Sequence, residues 1–99
     1  MLHILRHPPQ TDHRFATCLR VLASQQGLLL IEEAIYALLP NSPSVGRLGL
    51  LPASVQLYVL ESDMLARGLA LDDLPARVKV VDYNGMVRLC SEYPKVVSW

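Results

Sequence analysis

The sequence predicts an α/β fold, a three-layer sandwich built on a four- to five-stranded, mainly parallel sheet. Apolar runs alternate with segments of helical periodicity along the 99 residues, which is the pattern of successive βαβ units. The run "LLLI" contains no polar residue, as expected of a parallel strand that is covered on both faces. The length fits one domain, and residues 1–99 are therefore expected to form it.

The first half of the chain is predicted to contain two strands and two helices. "MLHILR", residues 1–6, forms the first strand, and a helix capped by Asp12 or the preceding threonine runs to about residue 26. "LLLIE", residues 28–32, forms the second strand, and "EEAIYALL" then forms a short helix that a proline ends. "VGRLGLL", residues 45–51, holds two glycines that weaken both helix and strand, so we expect an irregular segment or a short helix.

The second half adds two strands and two helices, followed by an apolar tail. "SVQLYVLE", residues 54–61, is rich in β-branched and aromatic residues and forms the third strand. Ser62 is placed to cap the short helix "DMLARG", and "RVKVVD", residues 77–82, forms the fourth strand. The last helix runs from about Asn84 to Tyr93, where a proline follows. The tail "KVVSW" is a candidate fifth strand at the sheet edge.

The composition is more apolar than that of a typical domain. Hydrophobic residues make up 52% of the chain and charged residues 18%, against typical shares of about 45–50% and about 25%. A chain of this length buries only about two thirds of the surface that its unfolded form exposes. Some apolar surface must therefore lie outside the monomer core, where such patches usually mark contact surfaces. We expect an obligate oligomer.

The charge pattern and the hydropathy pattern exclude several classes of partner. Nine Lys and Arg residues balance nine Asp and Glu residues and are scattered, so direct binding of nucleic acid is not expected. No apolar run approaches the roughly 20 residues of a membrane span, and the prolines at positions 8 and 9 come too early for a signal peptide. We expect a cytoplasmic protein without a membrane partner, in which both cysteines are free thiols.

Motifs for cofactors and metals are missing from the sequence. It contains neither G-x-G-x-x-G nor a P-loop nor C-x-x-C, so we expect no nucleotide cofactor and no zinc site. His7 and His13 flank the first strand-to-helix loop. A metal bound between them is the weaker interpretation, because isolated loop histidines are usually solvated.

Acidic residues follow three of the predicted strands. In parallel sheets function gathers at the carboxyl ends of the strands, which here present Glu32, Asp63 and Asp82. A stand-alone homo-oligomeric enzyme with its site at this edge is one hypothesis. No nucleophile paired with a general base accompanies these carboxylates, so the sequence gives that hypothesis little support.

The two cysteines each allow a structural and a chemical interpretation. Cys18 lies on the apolar face of the first helix with Phe15 and Leu22, and Cys90 shares a face of the last helix with Met86. Free cysteines often pack in cores as small hydrophobic residues, and this is the favoured interpretation of both. The alternative for Cys18 is a persulfide carrier, which requires an exposed thiol of lowered pKa.

Several stretches in order resemble the TusB/DsrH family of sulfur-relay proteins. They are "MLHILR" at the start, "LLLIEEAIYALL", "YVLESDMLARGL", and "VVDYNGMVRLCSEYPKVVSW" with its terminal Ser-Trp. The resemblance covers nearly the whole chain and is weakest in residues 41–53. It implies a DsrE-like α/β fold.

The resemblance also implies partners and a role. TusB-like chains join TusC- and TusD-like chains in a heterohexamer that accepts persulfide sulfur from a TusA-like carrier. The complex passes the sulfur through TusE toward the 2-thio group of a wobble uridine in tRNA. DsrH-like relatives serve cytoplasmic sulfur oxidation instead. Some of them carry a cysteine in the first helix, which makes Cys18 the candidate catalytic sulfur carrier here.

Three functional hypotheses therefore remain open. The chain is a mainly structural subunit of a TusBCD-like complex, a DsrH-like subunit with Cys18 as carrier, or a stand-alone enzyme. On the first hypothesis the apolar residues of the C-terminal part serve fold and interface, because aromatic residues are enriched in interface cores. The predicted interface residues are Tyr83, Val87, Tyr93, Val96, Val97 and Trp99.

Overall fold

A computed structural model describes all 99 residues. Five parallel strands form one sheet in the order β4-β3-β2-β1-β5. The strands are β1 (Leu2–Leu5), β2 (Gly27–Leu30), β3 (Gln56–Leu60), β4 (Val78–Val81) and β5 (Val96–Ser98). The α-helices are α1 (His13–Val21), α2 (Ser44–Gly49), α3 (Glu61–Ala66) and α4 (Tyr83–Glu92), and 3₁₀ helices span Glu32–Leu38 and Leu71–Asp73. The predicted α/β class and the parallel five-stranded sheet are confirmed.

The strand order divides the helices between the two faces of the sheet. From β1 to β4 each new strand is added on the same side of the one before, whereas β5 returns across the sheet to pair with β1. In parallel sheets whose crossovers share one hand, such a reversal places the returning helix on the opposite face. The return connection contains α4, which accordingly packs alone on one face.

The α1 face holds the larger core. Phe15 and Cys18 of α1 and Met64 of α3 are fully buried there against alternate residues of the strands. The first 3₁₀ helix contributes two adjacent rows, Ala34 with Ala37 and Ile35 with Leu38, all buried. A 3₁₀ helix repeats every three residues, so the two members of each row face the same way. The two rows together form the buried side of this helix. Other members of this cluster are Leu5, Leu28, Leu30, Leu48, Val55, Leu57, Val59, Leu69 and Val78.

The α4 face holds a smaller core. Only Leu2, Leu29 and Leu89 are buried in it. Partly buried residues complete it, namely Ile4, Ile31, Tyr58, Val81, Met86, Cys90 and Tyr93. β2 therefore contributes Leu28 and Leu30 to one core and Leu29 to the other. This arrangement explains why its run of leucines is continuous rather than alternating.

Several element boundaries differ from the predictions. α1 begins after Asp12, which accepts a hydrogen bond from the Arg14 amide as the expected cap, but it ends at Val21 rather than near residue 26. The chain leaves the helix at Leu22 in an extended conformation and then turns through Gln25, whose φ is +68°. The turn brings the first residue of β2, a glycine, into register with β1. A connecting segment must therefore separate α1 from β2.

Two further segments are helical and one predicted cap is not used. The segment after β2, predicted as a short helix, is a 3₁₀ helix, and residues 45–51, predicted as irregular or as a short helix, lie mostly in the short helix α2. The prediction that Ser62 caps the third helix is wrong, because α3 begins one residue earlier, at Glu61, directly after β3. Leu60 occupies the cap position and offers no side-chain acceptor.

Candidate functional site

Cys18, the candidate sulfur carrier, lies in the core on the α1 face. Its side chain is fully buried, and this burial raises the pKa of its thiol from 9.0 to about 12. A thiolate is disfavoured there because the apolar surroundings cannot replace the water that solvates a charge. A carrier thiol must be exposed and readily ionised. In the folded chain Cys18 has neither property.

The second cysteine belongs to the opposite face of the sheet. Cys90 is partly buried against the small cluster of Leu2, Leu29 and Leu89, and both cysteines are free. Because the sheet lies between the two thiols, they cannot approach to disulfide distance without unfolding. Neither cysteine has a histidine or a cation among its hydrogen-bond partners.

The acidic residues at the carboxyl ends of the strands are engaged in structural contacts. The backbone amide of Glu32, which has a φ of +50°, donates to Asp63 Oδ2 at 2.8 Å. Arg67 lies 3.4 Å from the carboxylate of Glu33 and 3.9 Å from that of Asp63. Asp82 Oδ1 accepts from the Gly85 amide at 2.7 Å and caps α4. These carboxylates hold turns and helix ends together, and the edge presents no nucleophile beside a base.

The two loop histidines have different surroundings. His7 contacts the Arg14 guanidinium at 2.6 Å and lies 3.5 Å from Asp12, whereas His13 is exposed at the start of α1. No three histidine, cysteine or acidic side chains converge in a geometry that would hold a metal ion. His7 is thus part of a hydrogen-bonded cluster that closes the β1–α1 loop.

The last residue of the chain is anchored on its own sheet. The Trp99 amide donates to the Ile4 carbonyl at 2.8 Å, and its indole Nε1 donates to His3 Nδ1 at 3.1 Å. The two rings stack with centroids 6.2 Å apart. His3 Nε2 in turn lies 2.9 Å from Gln26 Oε1. An indole N–H only donates, so His3 must accept at Nδ1 and carry its proton at Nε2.

Tyr93 is also integrated into the fold. A Cβ atom added at Gly27 would lie 2.6 Å from the Tyr93 hydroxyl and 3.1 Å from a methyl of Leu2. The phenol therefore lies directly over β2, and glycine is the residue that permits this approach. Burial, together with the neighbouring phenol of Tyr93, raises the pKa of Tyr58 to about 12.

The exposed members of the predicted interface lie on the α4 side of the sheet. Tyr83 and Val87 are one helical turn apart on α4 and are 66% and 55% exposed. Val96, 42% exposed, is aligned in β5 with Leu2 and so faces the same side. We call Tyr83, Val87 and Val96 the C-terminal surface. Val97 is half-buried and aligned with His3, so it faces the other side.

Comparison with known proteins identifies the family. The model of the DsrH-like proteins matches residues 7–96. The chain belongs to the TusB/DsrH family. It is 35% identical over 100 residues to the Protein TusB of Erwinia tasmaniensis and 33% identical over 100 residues to that of Escherichia coli K12. Both alignments cover 100% of this chain and 100% of the relative.

Solved structures share the fold of this family member. The ychN protein from E. coli superimposes with a TM-score of 0.82 over 99% of this chain and 97% of its own, at 17% identity. The MTH1491 protein from Methanobacterium thermoautotrophicum superimposes with a TM-score of 0.74 over 99% and 96% of the two chains, at 18% identity. At these identities the likeness concerns the fold alone.

Two structural features of this TusB/DsrH chain could not be predicted from its sequence. Arg77, read only as the start of a strand, donates to five backbone carbonyls between Leu48 and Val55. A surface groove between α1 and the segment after α2 is flanked by Arg20 and Arg47. Both depend on residues more than twenty positions apart, so no local pattern reveals them.

Proposed function

We propose that this chain is a subunit of a TusBCD-like sulfur-relay complex, in which it has a mainly structural role. The complex would pass persulfide sulfur from a TusA-like carrier through TusE toward 2-thiolation of a tRNA wobble uridine. TusC- and TusD-like chains are the expected partners in a cytoplasmic heterohexamer. Membership of the TusB/DsrH family and full-length similarity to proteins named TusB support this assignment.

The incomplete cover of the α4 face carries the proposal. One helix of ten residues packs on a five-stranded sheet there, and the buried core cluster that it forms with the sheet holds only three residues. Tyr83, Val87 and Val96 remain exposed on that side. Apolar burial is favourable by about 25 cal/mol per Å², so a partner that covers this C-terminal surface gains free energy that the monomer leaves unused. None of the helices has the length and apolar composition that a membrane span requires.

The experiment that tests this proposal replaces two residues of the C-terminal surface. We expect the double variant Tyr83→Ser/Val87→Ser, coexpressed with the TusC- and TusD-like chains of the same organism, to lose most of its copurification. The matched control is Val21→Ser/Leu65→Ser, which removes two exposed apolar side chains from helices on the α1 face. Circular dichroism checks that both variants fold, and light scattering measures the mass of the complex. Full recovery of the heterohexamer with the first variant would refute the proposal.

Truncation of the tail is a poorer test than surface substitution. Residues 94–99 include β5, which pairs with β1, and Trp99, whose indole binds His3. Their removal exposes the backbone of β1 and therefore harms the fold as well as any interface. A loss of assembly after truncation would not separate the two effects.

The alternative is a DsrH-like subunit in which Cys18 carries sulfur. The match to the DsrH-like family is the reason to test this role. Thiolate attack on a persulfide would form a new S–S bond at Cys18 and release the donor thiol. The buried thiol supports the structural role instead. We expect Cys18 in the assembled complex to react with iodoacetamide much more slowly than an unfolded thiol, and Cys18→Ser to leave tRNA thiolation intact. Rapid labelling of Cys18 together with loss of thiolation would favour the carrier role.

A further inference from the structure

An open groove lies on the α1 side of the molecule, away from the C-terminal surface. Its cavity volume is about 320 Å³, and apolar side chains form most of its lining. One wall is the last turn of α1, and the other is the segment that joins α2 to β3. The residues that matter below are Leu19, Arg20, Arg47, Leu50, Leu51 and Pro52.

Two cations flank this groove without acidic partners. Arg20 makes one side-chain hydrogen bond, to the hydroxyl of Thr17 in its own helix at 3.2 Å, and Arg47 makes no side-chain hydrogen bond or ion pair. Arg14 and Arg67, by contrast, lie within 4 Å of carboxylates. The two groove arginines are exposed and free to bind carboxylates from outside the chain.

The wall opposite α1 is firmly held. Arg77 donates to the carbonyls of Leu51 at 2.9 Å, Pro52 at 2.8 Å and Val55 at 3.0 Å, and two longer bonds reach Leu48 and Gly49. A guanidinium bound to this many carbonyls fixes the path of the segment.

The fixed wall presents an exposed apolar side chain to the groove. Leu50 is 86% exposed, the largest exposed fraction among the large apolar side chains of the chain. It projects from the segment that Arg77 holds, so its exposure does not come from a loose loop. An exposed leucine beside two unpaired arginines is complementary to a segment that carries an apolar side chain flanked by carboxylates.

We propose that this groove is a docking site for an acidic segment of a partner protein. An apolar side chain of that segment enters between Leu19 and Leu50, and its flanking carboxylates accept hydrogen bonds from Arg20 and Arg47. The groove and the C-terminal surface lie on opposite sides of the sheet, so both can be occupied at once. The proposal rests on charge and shape in this chain alone and does not require the sulfur-relay assignment.

The test uses a peptide probe of matched chemistry. The 99-residue chain, labelled with ¹⁵N, is titrated with an acetylated and amidated peptide of alternating glutamate and leucine. We expect the amide signals around α1's last turn and the 47–52 segment to shift. We also expect Arg20→Glu/Arg47→Glu to weaken the peptide's affinity about tenfold or more. Arg88→Glu, a charge reversal at an exposed arginine of α4, is the control and should change the affinity by less than about twofold.

Each contrary result would overturn the docking proposal. These results are no binding, shifts centred on another surface, equal weakening by Arg88→Glu, or equal affinity for the same peptide with lysine in place of glutamate. Inorganic phosphate that gives the same shifts with the same affinity would indicate a simple anion site instead. Both groove arginines are exposed, so the unshifted signals of the sheet report whether the double variant keeps its fold.

Discussion

The α1 face and the α4 face of the sheet are closed to different degrees. Sixteen buried residues form the core on the α1 face, where four helical segments contribute, whereas three form the core on the α4 face. Both faces belong to the same sheet and share its strands. The difference follows from the strand order, which sends only one connection, the one with α4, to the second face.

This asymmetry separates the residues that fold the chain from those that remain available to a partner. On the α1 face even a cysteine is fully buried. On the α4 face Tyr58, Met86 and Tyr93 are only partly buried, and neighbouring apolar residues are exposed. Interfaces between permanent subunits resemble a core cut in two. The more open α4 face is therefore the side on which we propose that a partner subunit packs.

The largest expected effect is a loss of stability when one buried side chain is truncated. We compare this loss between one substitution in each core. Phe15→Ala removes a fully buried ring from the α1 face and should lower the free energy of unfolding by about 3–5 kcal/mol. Leu89→Ala, in the thinner core, should cost about 2–3 kcal/mol because its surroundings are partly open and can collapse or admit water. Urea denaturation of the isolated chain measures both. An equal or larger loss for Leu89→Ala would mean that the two cores are equally closed.

The second expected effect concerns the close contact that places Tyr93 on the α4 face. Gly27→Ala puts a methyl 2.6 Å from the Tyr93 hydroxyl and should destabilise the chain by about 1–2 kcal/mol through overpacking. In a Tyr93→Leu background the same substitution should cost about 1 kcal/mol less, because the ring that meets the methyl is gone. A double-mutant cycle in urea gives this coupling. If the cost of Gly27→Ala is unchanged in that background, Tyr93 does not pack over β2.

The sequence was sufficient to predict the fold class and most of the elements because the signals for them are local. The uninterrupted leucines of β2 predict burial on both faces, and Asp12 marks the start of α1. The end of α1 was harder to place, because residues 22–26 contain no proline and their turn depends on a left-handed Gln25. Ser62 looked like a cap only because the sequence does not show that β3 runs directly into α3.

The candidate site was predictable only in part. Tyr83 and Val87, two of the predicted interface residues, are exposed on α4, whereas Trp99 is anchored by His3 at the opposite end of the chain. The hydrogen bonds from Arg77 to distant backbone carbonyls likewise could not be read from a local pattern. Contacts of this kind join residues that are far apart in sequence. They follow from the strand order and not from any local period.

The smallest expected effect is a loss of stability at alkaline pH that originates in the α1 core. The pKa of the Cys18 thiol is raised by burial from 9.0 to about 12, so the folded chain holds this proton where the unfolded chain releases it. Stability is therefore unaffected well below pH 9 and falls as the pH rises from about 9 toward 12. Between pH 8 and pH 10 the loss should be about 1 kcal/mol. Tyr58, on the α4 face, adds a loss of the same sign only above its ordinary pKa of 10.0.

Urea denaturation at pH 8 and pH 10, compared with Cys18→Ala, isolates the contribution of the thiol. The variant is less stable at both pH values because it leaves a small cavity, but its free energy of unfolding should change less between them. The buried thiol must stay neutral for the larger core to remain closed, whereas a thiol that opens to water would keep its ordinary pKa. An identical pH dependence in the two proteins would show that Cys18 is already solvated, and the α1 face would then be no better sealed than the α4 face.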